Sequence, residues 1–364
     1  MPGPTKYVER EIPQISLRDF PNRIDSITAQ LCDAAEHVGF FGLADHGIAA
    51  AEIDAMFALS EAFFRLPAAV KATVPWSPRN AGWEDRSQVR PSNVVTTSKL
   101  VADNKESYQL QFGDEAMRGL WLAEDDEKRY GVPGFRARCT AFMHRLQAVS
   151  EQLMVCFARG LGFDDDEYFV RLHDAARPDS QSVLRLLHYY DTPRGGGDGD
   201  GEVCYRAGAH TDWGFLTLLF QREGQGGLEI CPGRESATEF GADAAWTRVK
   251  FTPDSNSIVC NIGNLLMSWS DDRFRSTLHR VKAPSSRREG EGGKDEDPDD
   301  YYGERFSIAF FNQPCRSAVI QGPKKKYPPV TGEEFIARAM DTHFAALKKA
   351  TLEAEVQQQQ QKAY

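Results

Sequence analysis

The sequence predicts a mixed α and β chain, with a jelly-roll β core flanked by helices and an N-terminal α/β region. From about residue 180 the chain breaks into short β-rich runs at close spacing: SVLRLLHYY, FLTLLFQ, GGLEICP, WTRVKF, SIVCNIG, STLHRVKA and RFSIAFFNQP. Turn signals separate these runs, which is the pattern of a sandwich or barrel rather than of βαβ units. Ahead of them, apolar residues recur at three- and four-residue steps over 24–38, 50–66 and 133–163. That is the period of helices with one buried face.

In chain order, IPQISL (12–17) reads as a short strand and IDSITAQLCDAAEHV (24–38) as a helix. GFFGLADHGI (39–48) reads as a strand ending in a His-Gly turn, and residues 50–66 as a second amphipathic helix stopped by Pro67. Residues 76–105 have weak periodicity and read as a long loop, a feature that is often functional in a compact domain. Residues 133–163 form a long helix, with proline near its first turn and glycine near its end. The chain closes on a helix fading into a glutamine-rich tail. The segment 192–202 is glycine-rich, and 285–304 is charged and poor in apolar residues, so both read as solvated inserts. The expected division is an N-terminal region over 1–130, a helical support over 131–178, the β core over 179–325 and a C-terminal helix and tail over 326–364.

Composition narrows the function. The chain has 364 residues, 41% hydrophobic and 26% charged, enough for one large domain or two fused ones with a sizeable core. A net charge of −10 disfavours binding to phosphate backbones, so nucleic acid is not an expected partner. No apolar run approaches the roughly 20 residues of a membrane helix. The start lacks the basic-then-apolar texture of a signal peptide, so the expected location is the cytoplasm. The seven cysteines are dispersed, with no C-x-x-C, and read as buried packing thiols rather than disulfides or a zinc site; Cys204, Cys260 and Cys315 fall in or near the β core.

The chemistry lies in AGAHTDWG (207–214). Residues two apart on a strand share a face, so His210 and Asp212 converge on one point. A buried carboxylate needs a partner or a metal, and imidazole plus carboxylate suits a divalent transition metal. The alternative is a hydrogen-bonded His–Asp pair at a sheet edge. His279, in a second apolar run, supplies a third ligand. Two histidines and one carboxylate form the facial triad of non-heme Fe(II) oxygenases; zinc with the same ligands and a water is the competing metal. Arg305 and Ser307 share a face of RFSIAFF. A guanidinium fork with a hydroxyl beside it reads as a carboxylate anchor, against the alternative of a structural salt bridge. Tyr189 on a third strand can add its phenol to the same carboxylate, with Arg185 further along the pocket or, alternatively, exposed at a strand edge. His188 faces away from the site by strand parity and reads as structural. His37, His46, His144, His173 and His343 are not assigned to metal.

These residues resemble the isopenicillin N synthase-like branch of the Fe(II)/2-oxoglutarate-dependent dioxygenases over most of the chain. IPQISL, HVGFFGLADHGI, FFRLP and NKESYQL look like its N-terminal signatures; RAGAHTDWGFLTLLFQ, GGLEI, WTRV, NIGNLLMSWSDDRFRSTLHRV and RFSIAFF look like its core. The resemblance implies a double-stranded β-helix core. It implies iron on His210, Asp212 and His279, with 2-oxoglutarate chelating that iron and meeting Arg305, Ser307 and Tyr189 through its distal carboxylate. Within the family the closest likeness is to fungal thymine 7-hydroxylase-type enzymes, in which a flat ring stacks between aromatics with an arginine at its polar edge. The matching positions are Trp213, Phe311 and Arg185, and Asn80 in the long loop is placed at the pocket mouth. The chain departs from the family pattern at Asn264, where aspartate is usual, at Tyr190, where proline often stands, in the longer insert between His279 and Arg305, and at Trp213, a larger ring than usual.

The implied reaction consumes O2 and 2-oxoglutarate, releases succinate and CO2, and oxidises a C–H bond of a small, planar or heteroaromatic molecule. Hydroxylation is the default outcome, and no protein base is needed to remove the hydrogen atom. The alternatives are a secondary-metabolite tailoring oxidase that desaturates, cyclises or rearranges its substrate, an iron oxidase that dispenses with 2-oxoglutarate, and a catalytically silent ligand-binding scaffold. Succinate release and Fe(II) binding separate these. Oligomeric state is not legible.

Overall fold

The long helix Phe135–Leu161 shows how local sequence sets the frame. Its apolar residues fall on one stripe, and Leu146, Leu153, Met154 and Phe157 are buried. It ends at Gly162, whose φ of 79° closes the last turn, with the Phe163 amide donating back to the Ala158 carbonyl at 3.0 Å. Helices Phe20–His37 and Ala50–Phe64 pack into the same layer. The computed structural model describes residues 6–86, 89–91, 100–191, 205–235, 245–250, 256–282 and 303–341.

The helical layer covers one face of an eight-stranded sheet. Its order is Gln14–Ser16, Phe40–Ala44, Ile258–Ile262, Leu216–Gln221, Arg305–Asn312, Val183–Tyr189, Lys105–Gln111 and Gly82–Asp85. A five-stranded sheet, ordered Lys6–Tyr7, Ala245–Arg248, Leu228–Glu235, Thr277–Lys282 and Tyr205–His210, faces its other side. Phe40, Leu187 and Ala309 from the large sheet pack with Ala207, Leu228, Ile230 and Val281 from the small one. This is the jelly roll that the strand spacing predicts, with pairing in both sheets predominantly antiparallel.

Strand alternation gives the large sheet two chemistries. Its outer face, with Leu184, Leu186, Ile308, Phe310, Leu216 and Leu218, joins the helices in the main core. Its inner face carries Gln109, Arg185, Tyr189, Arg305, Ser307 and Thr217 in matched register. A row of polar side chains under a sheet is expensive unless the groups bond one another or a ligand.

Two sequence expectations change. Residues 76–105 are not one loop: Gly82–Asp85 pairs with Lys105–Gln111, and Val89–Pro91 with Leu100–Ala102, while 87, 88 and 92–99 lie outside the described residues. Lys105–Gln111 is buried throughout although five of its seven residues are polar, so apolar alternation could not reveal it. Glu304, read as the end of a solvated insert, pairs with Arg65 and His188. The rest of that insert (285–302), the glycine-rich segment 192–202, Cys204 and His343 lie outside the described residues. The remaining six cysteines are buried and free, as expected. The C-terminal helix is described from 332 to 341.

His173 carries a stability prediction. Its ring is buried against Phe215 (4.6 Å between centroids) and donates from Nδ1 to the Phe169 carbonyl at 2.7 Å. Burial pushes it down to about 4 from 6.5. Between those values the unfolded chain takes up a proton that the folded chain refuses, so stability falls as pH drops through this window. His173→Phe is expected to flatten that limb by roughly 3 kcal/mol, read by urea unfolding at neutral and acid pH.

Candidate active site

The two histidines come together through the small sheet. His279 lies in Thr277–Lys282 and His210 ends Tyr205–His210; the two are register partners with ring centroids 4.3 Å apart. Asp212 reaches the same point differently from the expected strand alternation, because the strand stops at His210 and Asp212 sits in the connection that follows. That connection is clamped. The Asn264 amide donates to the Asp212 carbonyl at 2.8 Å, the Leu265 amide to the Gly214 carbonyl at 3.1 Å, and the Asn264 side chain to Thr211 Oγ1 at 3.1 Å. Gly263 permits this approach, since a Cβ there would strike the Gly214 backbone.

Each side chain is aimed. His210 Nδ1 is 2.7 Å from the Gly208 carbonyl and His279 Nδ1 3.1 Å from the Thr277 carbonyl. A carbonyl only accepts, so the proton sits on Nδ1 and the Nε2 lone pair is presented to the site. Asp212 Oδ2 accepts from Thr217 Oγ1 at 2.6 Å and from Asn261 Nδ2 at 2.8 Å. Its other oxygen, Oδ1, lies 3.8 Å from His210 Nε2 and 3.7 Å from His279 Nε2. These separations are beyond hydrogen bonding. Two nitrogen lone pairs and one carboxylate oxygen, all within 4.8 Å of one another and backed by a second layer of hydrogen bonds, suit a divalent transition-metal ion. Thr217 and Asn261 went unread in the sequence; the available signal was a polar residue inside each of two otherwise apolar strands.

Arg305 is fully buried on the inner face of the large sheet. Its Nη1 donates to Ser307 Oγ at 3.2 Å, Nη2 to Gln221 Oε1 at 3.1 Å and Nε to the Gln225 carbonyl at 3.0 Å. The guanidinium carbon stands 5.0 Å from the Tyr189 ring, and Tyr189 is its register partner. Burial lowers its pKa from the usual value, yet an arginine stays charged. Among the described residues no carboxylate pairs with it, and its partners there are neutral groups. Gln221 and Gln225 are further members that the sequence did not single out.

Arg185 lies on the same inner face, paired with Ala309 four positions along from the Arg305–Tyr189 pair. It is half-buried, donates to Gln109 Oε1 at 2.6 Å, and sits 5.1 Å over the Phe311 ring. Asn80 holds a left-handed turn, φ 59°, and its carbonyl accepts from Gln111, which pairs across to Val183, the register partner of Phe311. Trp213 is half-buried in the connection beside Asp212. Arg185, Phe311 and the Asn80 turn thus share one end of the inner face, while Trp213 stands on the metal-ligand side. Among the described residues no helix is long and apolar enough to cross a membrane.

Comparison with known proteins agrees with this geometry. Residues 12–128 match the family described as non-haem dioxygenase in morphine synthesis N-terminal, and residues 180–314 match the 2OG-Fe(II) oxygenase superfamily. The proline hydroxylase buaE of Petromyces alliaceus is 31% identical over 328 residues, covering 85% of this chain and 90% of that protein. The 2-oxoglutarate-dependent dioxygenase frbA of Dothideomycetidae sp. is 28% identical, with 85% and 87% covered. The crystal structure of Neurospora crassa thymine 7-hydroxylase with alpha-KG and thymine superposes with a TM-score of 0.70 at 28% identity, covering 91% of this chain and 97% of that one. With a jelly roll and a His–Asp–His cluster inside it, the chain belongs to the 2OG-Fe(II) oxygenase superfamily and is a non-heme Fe(II)- and 2-oxoglutarate-dependent dioxygenase.

Proposed function

We propose that His210, Asp212 and His279 hold Fe(II), that Arg305, Ser307 and Tyr189 take the distal carboxylate of 2-oxoglutarate, and that Arg185, Trp213, Phe311 and Asn80 receive a small planar or heteroaromatic substrate for C–H hydroxylation. The convergence of two imidazole Nε2 atoms on Asp212 Oδ1, with a fully buried guanidinium in the same jelly roll, carries the reading. With its cosubstrate bound, iron supplies the oxidation, in which 2-oxoglutarate and O2 yield succinate, CO2 and a hydroxylated C–H carbon. The protein contributes aim and exclusion of water. Thr217 and Asn261 hold Asp212 in one orientation, and the carbonyls of Gly208 and Thr277 fix the histidine tautomers. No side chain has to accept a proton from the substrate carbon.

Arg185 selects the polar edge of the substrate, since a guanidinium can donate twice to a carbonyl or a carboxylate. In the free pocket it covers Phe311, so a stacking ring either displaces it or takes the opposite face. The likeness to the thymine-bound Neurospora crassa enzyme supports a nucleobase-like ring. The likeness to proline hydroxylase buaE favours a second reading, a metabolite-tailoring oxidase whose substrate offers a carboxylate to Arg185. Succinate release from enzyme, Fe(II) and 2-oxoglutarate, screened over nucleobases, cyclic amino acids, flavonoids, alkaloids and phenols, separates them. For the substrate so found, Arg185→Ala is expected to raise KM by roughly tenfold or more and leave the KM for 2-oxoglutarate unchanged. An unchanged substrate KM removes Arg185 from the pocket.

A further inference from the structure

We propose that His188 is a positioning residue for the cosubstrate, a strut on the outer face of the large sheet that holds the Arg305–Tyr189 anchor from behind. The inference rests on the reading of Arg305 as the 2-oxoglutarate anchor. Register supplies the first observation. Lys105, Tyr189 and Arg305 stand side by side on three neighbouring strands, and the next row is Glu106, His188 and Phe306. Neighbouring residues on a strand point to opposite faces, so the anchor row and the His188 row are two sides of one patch of sheet.

The second observation is what His188 touches. The ring is buried, stacked on Phe306 at 4.6 Å and 9°, with Phe64 at 5.5 Å and Tyr190 at 5.0 Å. Its Nδ1 lies 2.8 Å from Glu106 Oε1 and its Nε2 3.2 Å from Glu304 Oε1. Glu106 also accepts from Lys71 Nζ at 2.6 Å and Trp83 Nε1 at 2.8 Å, and Glu304 from Arg65 Nη1 at 2.9 Å. Burial pushes the Glu106 carboxyl up, but the bonds from His188, Lys71 and Trp83 outweigh it and hold the group below the usual carboxylate range. Arg65 holds Glu304 below it as well. Both carboxylates are thus ionised and only accept, so both bonds to His188 exist together only while the ring carries both N–H groups.

Position makes the strut matter. Arg305 opens its strand, and on one side the ladder with Leu216–Gln221 stops at Ser307. The end of the strand that bears the cosubstrate arginine is therefore held by Tyr189, by Gln225 and, through the adjacent Glu304, by His188 and Arg65. Without the ring's two bonds to Glu106 and Glu304 this end loosens.

The test is calorimetric binding of 2-oxoglutarate and, separately, of Fe(II) to the enzyme under nitrogen, with 2-oxoglutarate titrated into the Fe(II)-loaded protein. His188→Phe keeps the stacking and removes both bonds; it should weaken 2-oxoglutarate binding roughly tenfold and leave Fe(II) affinity unchanged. Glu304→Gln, at a position a third exposed, should move affinity the same way by less, and serves if the phenylalanine variant does not fold. If both variants bind 2-oxoglutarate like wild type while Arg305→Met does not bind it, the strut is overturned and the anchor stands. If Arg305→Met binds normally, the anchor reading itself has failed.

Discussion

Asp212→Asn will weaken Fe(II) binding and lower turnover by roughly 10²–10³-fold while leaving the fold intact. The reason lies in what surrounds the carboxylate. Thr217 and Asn261 both donate to Oδ2. An asparagine must therefore set its carbonyl oxygen where Oδ2 was and turn its NH2 toward the two histidine Nε2 atoms. An amide NH2 has no lone pair for a metal, and it can instead donate to a neutral imidazole. The substitution exchanges a ligand for a hydrogen-bond donor at nearly constant shape. Fe(II) titration under nitrogen, with thermal unfolding of the metal-free protein alongside, checks it. Retained Fe(II) affinity in a folded variant would remove Asp212 from the proposed ligand set.

Arg305→Met will raise the KM for 2-oxoglutarate by about 100-fold or more and leave Fe(II) affinity nearly unchanged. A guanidinium surrounded by a serine hydroxyl, a glutamine carbonyl and a backbone carbonyl is poised for an anion that the described residues do not supply. Losing it leaves the incoming carboxylate buried without a partner, the expensive half of breaking a buried pair. Methionine fills a similar volume, and removing a buried charge offsets the lost bonds, so folding should persist. A control sharpens the result. Wild type should prefer 2-oxoglutarate over a 2-oxo acid without a distal carboxylate, and the variant should lose that preference. A variant that still discriminates would place the anchor elsewhere.

The elements legible in the sequence were those whose burial is one-sided. Phe20–His37, Ala50–Phe64 and Phe135–Leu161 bury one stripe each, and the strands after residue 180 carry enough apolar residues to stand out. Lys105–Gln111 was not legible as a strand, because its polar side chains are buried on both faces and bonded to other polar groups, as in Gln109–Arg185 and Glu106–Lys71. The three candidate metal ligands were legible by residue type and spacing, although Asp212 gets its aim from Thr217 and Asn261 rather than from a place in the strand.

By itself the sequence determined the fold class, the His–Asp–His set and the pairing of arginine with serine on one strand face, because these follow from periodicity and from residue types that are costly to bury alone. Only the tertiary structure decided which atoms face the site. It selected Nε2 over Nδ1 in both histidines, Oδ1 over Oδ2 in Asp212, and, among the described residues, neutral partners for Arg305. It also brought Glu106, His188 and Glu304 together on the far side of the sheet from Arg305 and Tyr189, across 198 positions of chain, the separation of Glu106 from Glu304. Such choices depend on hydrogen bonds between residues far apart in the chain, and local pattern carries no record of them.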